Sequence, residues 1–211
     1  MKNAFDVVRD FEAALCEYTG APYCVTTNSC TEALGMSMEY HKGPYRDKDI
    51  ISMPKRTYVG VGMQAKRLGY IINFQDIKWS GIYEIFPLGV YDAAKRFRRG
   101  MFREIANTRP GDNIYVCLSF HYTKILSLTQ GGCILHNDSA FDDWARQMRF
   151  DGREECEPAG NEMQYDVLGR HCYMGPEVAA LGLRKLMAAK DFNEDLPMDN
   201  YPDLSKIEVL E

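Results

Sequence analysis

The chain has 211 residues, 45% of them hydrophobic, and a formal net charge of -5. That is enough apolar material for a real core in one large domain, and the acidic balance gives nucleic acid or an anionic membrane no electrostatic hold. No apolar run approaches a membrane span and the N-terminus lacks a signal-peptide core, which predicts a soluble, cytoplasmic protein.

Phe5, Val8, Phe11, Leu15 and Tyr18 recur at helical spacing, so a helix is expected over about 4–18, closed by Thr19-Gly20. Tyr23 to Thr27 reads as a short strand running into Asn28-Ser29-Cys30-Thr31, with the helix formers Glu32-Ala33-Leu34 behind it. A strand, a small polar turn and a helix put N–H groups and a positive dipole end at one point, which suits a phosphate. Simple N-capping by Ser29 or Thr31 reads the same way. Asp49 to Met53 is a second strand, Thr57-Tyr58-Val59 opens a helix to about Leu68, and Tyr70 to Phe74 is a third strand.

The apolar-aromatic run Ile85 to Tyr91 ends on Asp92, at the crevice position of an open α/β sheet. Asp92 there is either a functional carboxylate or a helix cap before Ala93-Ala94. Arg96, Arg98 and Arg99 form a small basic cluster, a solvated face or a contact for an anionic substrate. Arg109-Pro110-Gly111-Asp112 is a turn signal.

Ile114 to Leu118 is an apolar run rich in β-formers and Cys133-Ile134-Leu135 starts another. Between them lie Ser119-Phe120-His121-Tyr122-Thr123-Lys124 and Gly131-Gly132, so Lys124 sits on a turn between two core strands. A partly desolvated lysine can attack a carbonyl and form a Schiff base; an ordinary surface loop lysine is the alternative. Asn137-Asp138-Ser139 caps a helix to about Arg149, residues 151–164 read as a surface loop, and Pro176-Glu177 opens a helix through Leu186. The stretch from 191 turns acidic and polar, giving a domain over 1–190 and a C-terminal tail over 191–211. Seven cysteines without a Cys-x-x-Cys pair and four scattered histidines predict reduced thiols and no metal site.

Four segments in order carry a resemblance. They are Phe11-Glu12 through Asn28-Ser29-Cys30-Thr31-Glu32-Ala33-Leu34, then Tyr91-Asp92-Ala93-Ala94, then Ser119-Phe-x-x-x-Lys124 with Gly131-Gly132, then Gly169 through Leu186. Together they resemble the DegT/DnrJ/EryC1/StrS family of pyridoxal-phosphate (PLP) sugar aminotransferases, which have the aspartate-aminotransferase type I fold. The resemblance implies an α/β domain of reduced type I form, with a mixed, mostly parallel sheet, flanking helices and the C-terminal small domain missing. It also implies that relatives carry a longer stretch, ending in a helix, where this chain has residues 75–89.

By that resemblance Lys124 holds PLP and moves a proton, and Asp92 pairs with the pyridine nitrogen. Ser119, Cys30 and Thr31 hold phosphate, Tyr58 stacks on the ring (or belongs to the core), and Lys95 lies near the phenolic oxygen or points to solvent. His171 stands where relatives have an Asn that reaches the partner subunit's cofactor phosphate, which implies a homodimer with shared sites. Phe5, Phe11, Leu181 and Leu186 lie on helices that offer apolar surface to such a partner. The implied reaction is amino transfer from an amino acid, often glutamate, to a keto sugar nucleotide. The alternative is a catalytically degenerate PLP-fold protein acting as a binding or assembly subunit, which Cys30, Lys95 and His171 favour and Lys124, Asp92 and Ser119 oppose.

Overall fold

A computed structural model describes residues 3–42, 50–155, 165–198 and 200–210. In chain order these give α1 (Asp6–Thr19), β1 (Tyr23–Thr27), α2 (Cys30–Lys42), β2 (Ile50–Pro54), α3 (Val59–Arg67), β3 (Ile71–Gln75), β4 (Tyr83–Ile85) and β5 (Val90–Asp92). Then come α4 (Met101–Ala106), β6 (Tyr115–Ser119), β7 (Gly132–His136), α5 (Ser139–Met148) and α6 (Pro176–Leu186). Two short 3-10 turns, Leu204–Lys206 and Glu208–Leu210, follow. The expected strand from Asp49 begins at Ile50 among the described residues; Asp49 and residues 156–164 of the expected loop lie outside them.

The main sheet has the order β1-β7-β6-β5-β4. β5 and β6 run parallel, whereas β7 is antiparallel to β1 and β6, and β4 to β5, so the sheet is mixed. β2 and β3 form a parallel pair that meets β4 through reciprocal backbone bonds between Ser52 and Phe86. Alternation along the central strands explains the layers. Val116 and Leu118 face one side with Phe11, Leu15 and Phe102, while Tyr115 and Cys117 face the other with Leu34, Met36 and Phe141. Helices α1, α4 and α6 cover the first face, and α2, α3 and α5 the second. Asp138 caps α5 through the Ala140 and Phe141 N–H groups, as expected from its sequence.

Three expectations change. Phe11 is fully buried and Leu186 is 8% exposed, with Phe5 and Leu181 packed against the same cluster. A Cβ on Gly182 would lie 2.5 Å from the Phe11 ring, so α6 offers Phe11 a groove instead of leaving it for a partner. The reading of Asp92 as a helix cap falls away, and the run Ile85 to Tyr91 before it covers parts of two strands. A turn with a cis Phe86–Pro87 bond breaks it into β4 and β5, and the following residues form turns until α4, so Asp92 caps no helix. Arg96, Arg98 and Arg99 each meet a carboxylate of the chain itself: Asp195, Glu104 and Asp191. Their charges tie residues together rather than await an anion.

The stretch after residue 190 lies against the domain. Leu204 and Leu210 are buried, Leu196 N donates to Lys95 O at 2.9 Å, and Leu204 N donates to Lys55 O at 2.8 Å. Polar composition concealed these two anchors.

Candidate active site

A cavity of about 580 Å³ opens at the C-terminal end of β5 and β6. Ser29, Cys30, Thr31, Tyr58, Asp92, Lys95, Ser119 and Lys124 all line it, so seven of the eight expected site residues, with Ser29 beside them, converge there. The chain brings them from four loops, each following a strand, as the crevice rule for α/β sheets requires.

The first wall is the start of α2. Ser29 Oγ accepts from Glu32 N at 3.2 Å, so this serine does cap the helix while lining the cavity. Ser29 also bridges to Gly131, and a Cβ on Gly132 would stand 2.5 Å from Cys30 N. Glycine is therefore required for β7 to lie against the helix N-terminus, whose first N–H groups have no partner within the helix. Burial pushes the Cys30 thiol well above its ordinary value; Asp92 and Cys117 add to this and Lys124 opposes it.

The second wall is the loop from Ser119 to Gly131. Phe120 is buried against Phe11, Leu126 and Leu128 enter the core, and Phe120 N donates to Gly131 O at 2.9 Å. Lys185 of α6 donates to the Ser127 carbonyl. Lys124, half-buried, is thus carried on a turn pinned at both ends, not on a free surface loop. His121 Nδ1 and Thr123 Oγ1 lie 2.9 Å apart beside it.

Asp92 forms the floor and is 4% exposed. Its Oδ1 accepts from Ala94 N at 2.9 Å and its Oδ2 from the Tyr83 hydroxyl at 2.8 Å. Burial raises its pKa, and the Ala94 N–H, the Tyr83 hydroxyl, Lys124 and Lys95 act against that rise. Tyr58 is 54% exposed at the start of α3, so it lines the cavity instead of joining the core. Lys95 does not reach for solvent: it is 3% exposed and donates to Pro197 O at 2.6 Å.

His171 stands apart. It is exposed, its Nδ1 lies 2.8 Å from Asp151 Oδ2, and it does not line this cavity. Sequence reading also missed contributors. Thr57, Trp79, His121 and Tyr201 line the cavity, and Tyr83 supports Asp92 from below. The turn residues Pro87 and Gly89 signal the hairpin that puts Tyr83 opposite Asp92; nothing in the sequence signals the return of Tyr201.

A model of the DegT/DnrJ/EryC1/StrS aminotransferase family matches residues 2–96 and 111–196. The chain belongs to this family. The matched segments of this DegT/DnrJ/EryC1/StrS protein hold every site residue named above except Tyr201, and leave out 97–110, which carries α4. No curated protein sequence matches it. Solved structures share its fold. DesV of S. venezuelae, in complex with a ketimine intermediate, is 15% identical with a TM-score of 0.63, over 89% of this chain and 57% of that one. A DegT DnrJ EryC1 StrS aminotransferase from Brucella abortus is 21% identical with a TM-score of 0.62, over 86% and 58%. Helicobacter pylori PseC, an aminotransferase involved in the biosynthesis of pseudoaminic acid, is 19% identical with a TM-score of 0.64, over 89% and 63%. This chain thus spans somewhat under two thirds of the length of these proteins. Among the described residues no helix is long and apolar enough to cross a membrane.

Proposed function

We propose that this protein is a PLP-dependent aminotransferase that moves an amino group from an amino acid, with glutamate the first candidate, to a keto sugar nucleotide. The observation that carries this reading is the meeting of Lys124, Asp92 and the α2 N-terminus in one cavity. These residues fit the cofactor. The glycine-backed helix start suits a phosphate, Tyr58 offers a ring face, and a buried carboxylate suits a protonated ring nitrogen. When bound, the cofactor supplies an electron-withdrawing ring conjugated to the reacting carbon. Lys124 would be the attachment amine and would carry the substrate's α-proton, Asp92 would hold the proton at the ring nitrogen, and Ser119, Cys30 and Thr31 would hold the phosphate. Lys95, buried and cationic, favours negative charge at the phenolic oxygen. PseC and the sugar aminotransferase CalS13, both similar in fold, support the sugar acceptor. The six described cysteines are free thiols, which agrees with a cytoplasmic setting.

Adding PLP to the purified protein is expected to give a visible absorption band that glutamate bleaches and that Lys124→Ala lacks. Borohydride reduction followed by peptide mapping should place the pyridoxyl group on Lys124. A label on another lysine, or no band at all, would leave the catalytically degenerate binding subunit as the better reading.

The same reading makes the active unit a homodimer with shared sites. Asp151 holds one nitrogen of the exposed His171 ring, which leaves the other turned outward for a neighbour. Leu168, Met187 and Phe192 are exposed apolar residues for such an interface. Inactive Lys124→Ala and His171→Ala chains, mixed under exchange conditions, should regain one active site per heterodimer. A monomer that turns over glutamate would end this part of the proposal.

A further inference from the structure

Strand pairing sets Tyr83 directly across from Asp92. The tyrosine hydroxyl donates to Asp92 Oδ2, and Thr57 Oγ1 lies 2.8 Å from the same hydroxyl. A phenol has one proton to give. Because that proton points at the carboxylate, the threonine must be the donor in the second bond. A directed chain therefore runs from Thr57 through Tyr83 to Asp92, and all three side chains are buried.

We propose that Tyr83, backed by Thr57, is the positioning residue of this site, fixing the Asp92 carboxylate as an acceptor turned to the cavity. The role at the ring nitrogen that this serves rests on the function proposed above; the positioning itself does not. Cys117 stands opposite Asp92 on β6, and Cys30 of α2, Lys124 and Lys95 are near enough to act on its charge. Burial pushes both thiols up and keeps them neutral, so they set no second negative charge beside Asp92. Lys124, as the reacting amine, must change its protonation during the reaction. Tyr83 is different: burial and the neighbouring Asp92 charge push its pKa well up, so it remains a proton donor throughout. It offers a fixed dipole where the nearby charges vary.

The test is the Asp92 carboxyl titration, followed by carbon NMR in the cofactor-free full-length protein, with its resonance assigned by loss in Asp92→Asn. Removing a hydrogen bond to a charged acceptor disfavours the charged form. Tyr83→Phe is therefore expected to raise the Asp92 pKa by about one unit or more, a tenfold change in its protonation equilibrium. Thr57→Val, acting one bond further away, should raise it by less. An unmoved pKa in a natively folded Tyr83→Phe protein overturns the proposal. Should that variant not fold, Thr57→Val decides alone, with an upward shift expected and no shift counting against. A wild-type protein that forms no Lys124-dependent band with PLP would defeat the aminotransferase reading and leave this titration result standing.

Discussion

Glu12→Gln is expected to cost the protein about 3–5 kcal/mol at neutral pH, the loss seen when one partner of a buried ion pair is removed. Glu12 lies on α1, 4% exposed, and its carboxylate joins three elements. Oε1 accepts from Thr26 N at 2.8 Å and from Arg149 Nη1 at 2.5 Å, while Oε2 accepts from Arg146 Nη1 at 2.9 Å. Arg149 is fully buried and has Glu155 as its other carboxylate partner. Glutamine keeps a carbonyl for Thr26 but leaves the buried Arg149 charge with Glu155 as its one remaining carboxylate partner. Burial pushes the Glu12 pKa up; Arg149, Arg146 and the Thr26 N–H overcome this and hold it below its ordinary 4.5. A group depressed in the folded state stabilises above its unfolded pKa, and that contribution fades as pH falls through the folded value. Urea unfolding at pH 7 and again in the acid range should therefore show a gap between the two proteins that narrows toward acid. Equal midpoints at pH 7 would mean that the carboxylate adds nothing over an amide.

Asp92→Asn is expected to slow the half-reaction with an amino donor by a factor on the order of a hundred to several thousand, with little loss of cofactor binding. An amide cannot hold a proton at a ring nitrogen by charge, and a broken buried charge pair costs about 3–5 kcal/mol, or two to nearly four decades of rate. Phosphate grip and the Lys124 amine are untouched by the change, so binding should persist. Single-turnover kinetics read the rate and fluorescence titration reads the affinity. An unchanged half-reaction would reduce Asp92 to a turn residue serving Ala94 N.

Most of the scaffold was legible because its signals are local. Phe5 to Tyr18 carry a helical period, Ile114 to Leu118 a buried-strand composition, and Asp138 a cap with no competing role. The residues that line the cavity were picked out through the family resemblance, with Lys124 on a turn between two strands and Asp92 at the end of an apolar run as its local signals. What stayed hidden depends on pairing between distant segments. Tyr83 matters only because β4 folds back on β5, and Tyr201 only because Leu204 and Leu210 find apolar pockets that their own polar stretch does not advertise. Glu12 was visible in a motif, but its two arginines come from more than 130 residues away along the chain. The arginine cluster misled for the opposite reason: two of its three partners, Asp191 and Asp195, lie in what reads as a tail.

The cavity draws on six separated stretches, from Ser29 near the start to Tyr201 near the end. Closing such distant segments together is paid in chain entropy before any contact repays it, which slows folding relative to a chain of local contacts. During synthesis the lysine loop and the α2 start can meet well before residue 201 leaves the ribosome, yet the ligand-binding space is unfinished until then. Cofactor affinity should therefore appear late and abruptly along the folding path. Ligand that binds the closed cavity favours the folded molecules by mass action.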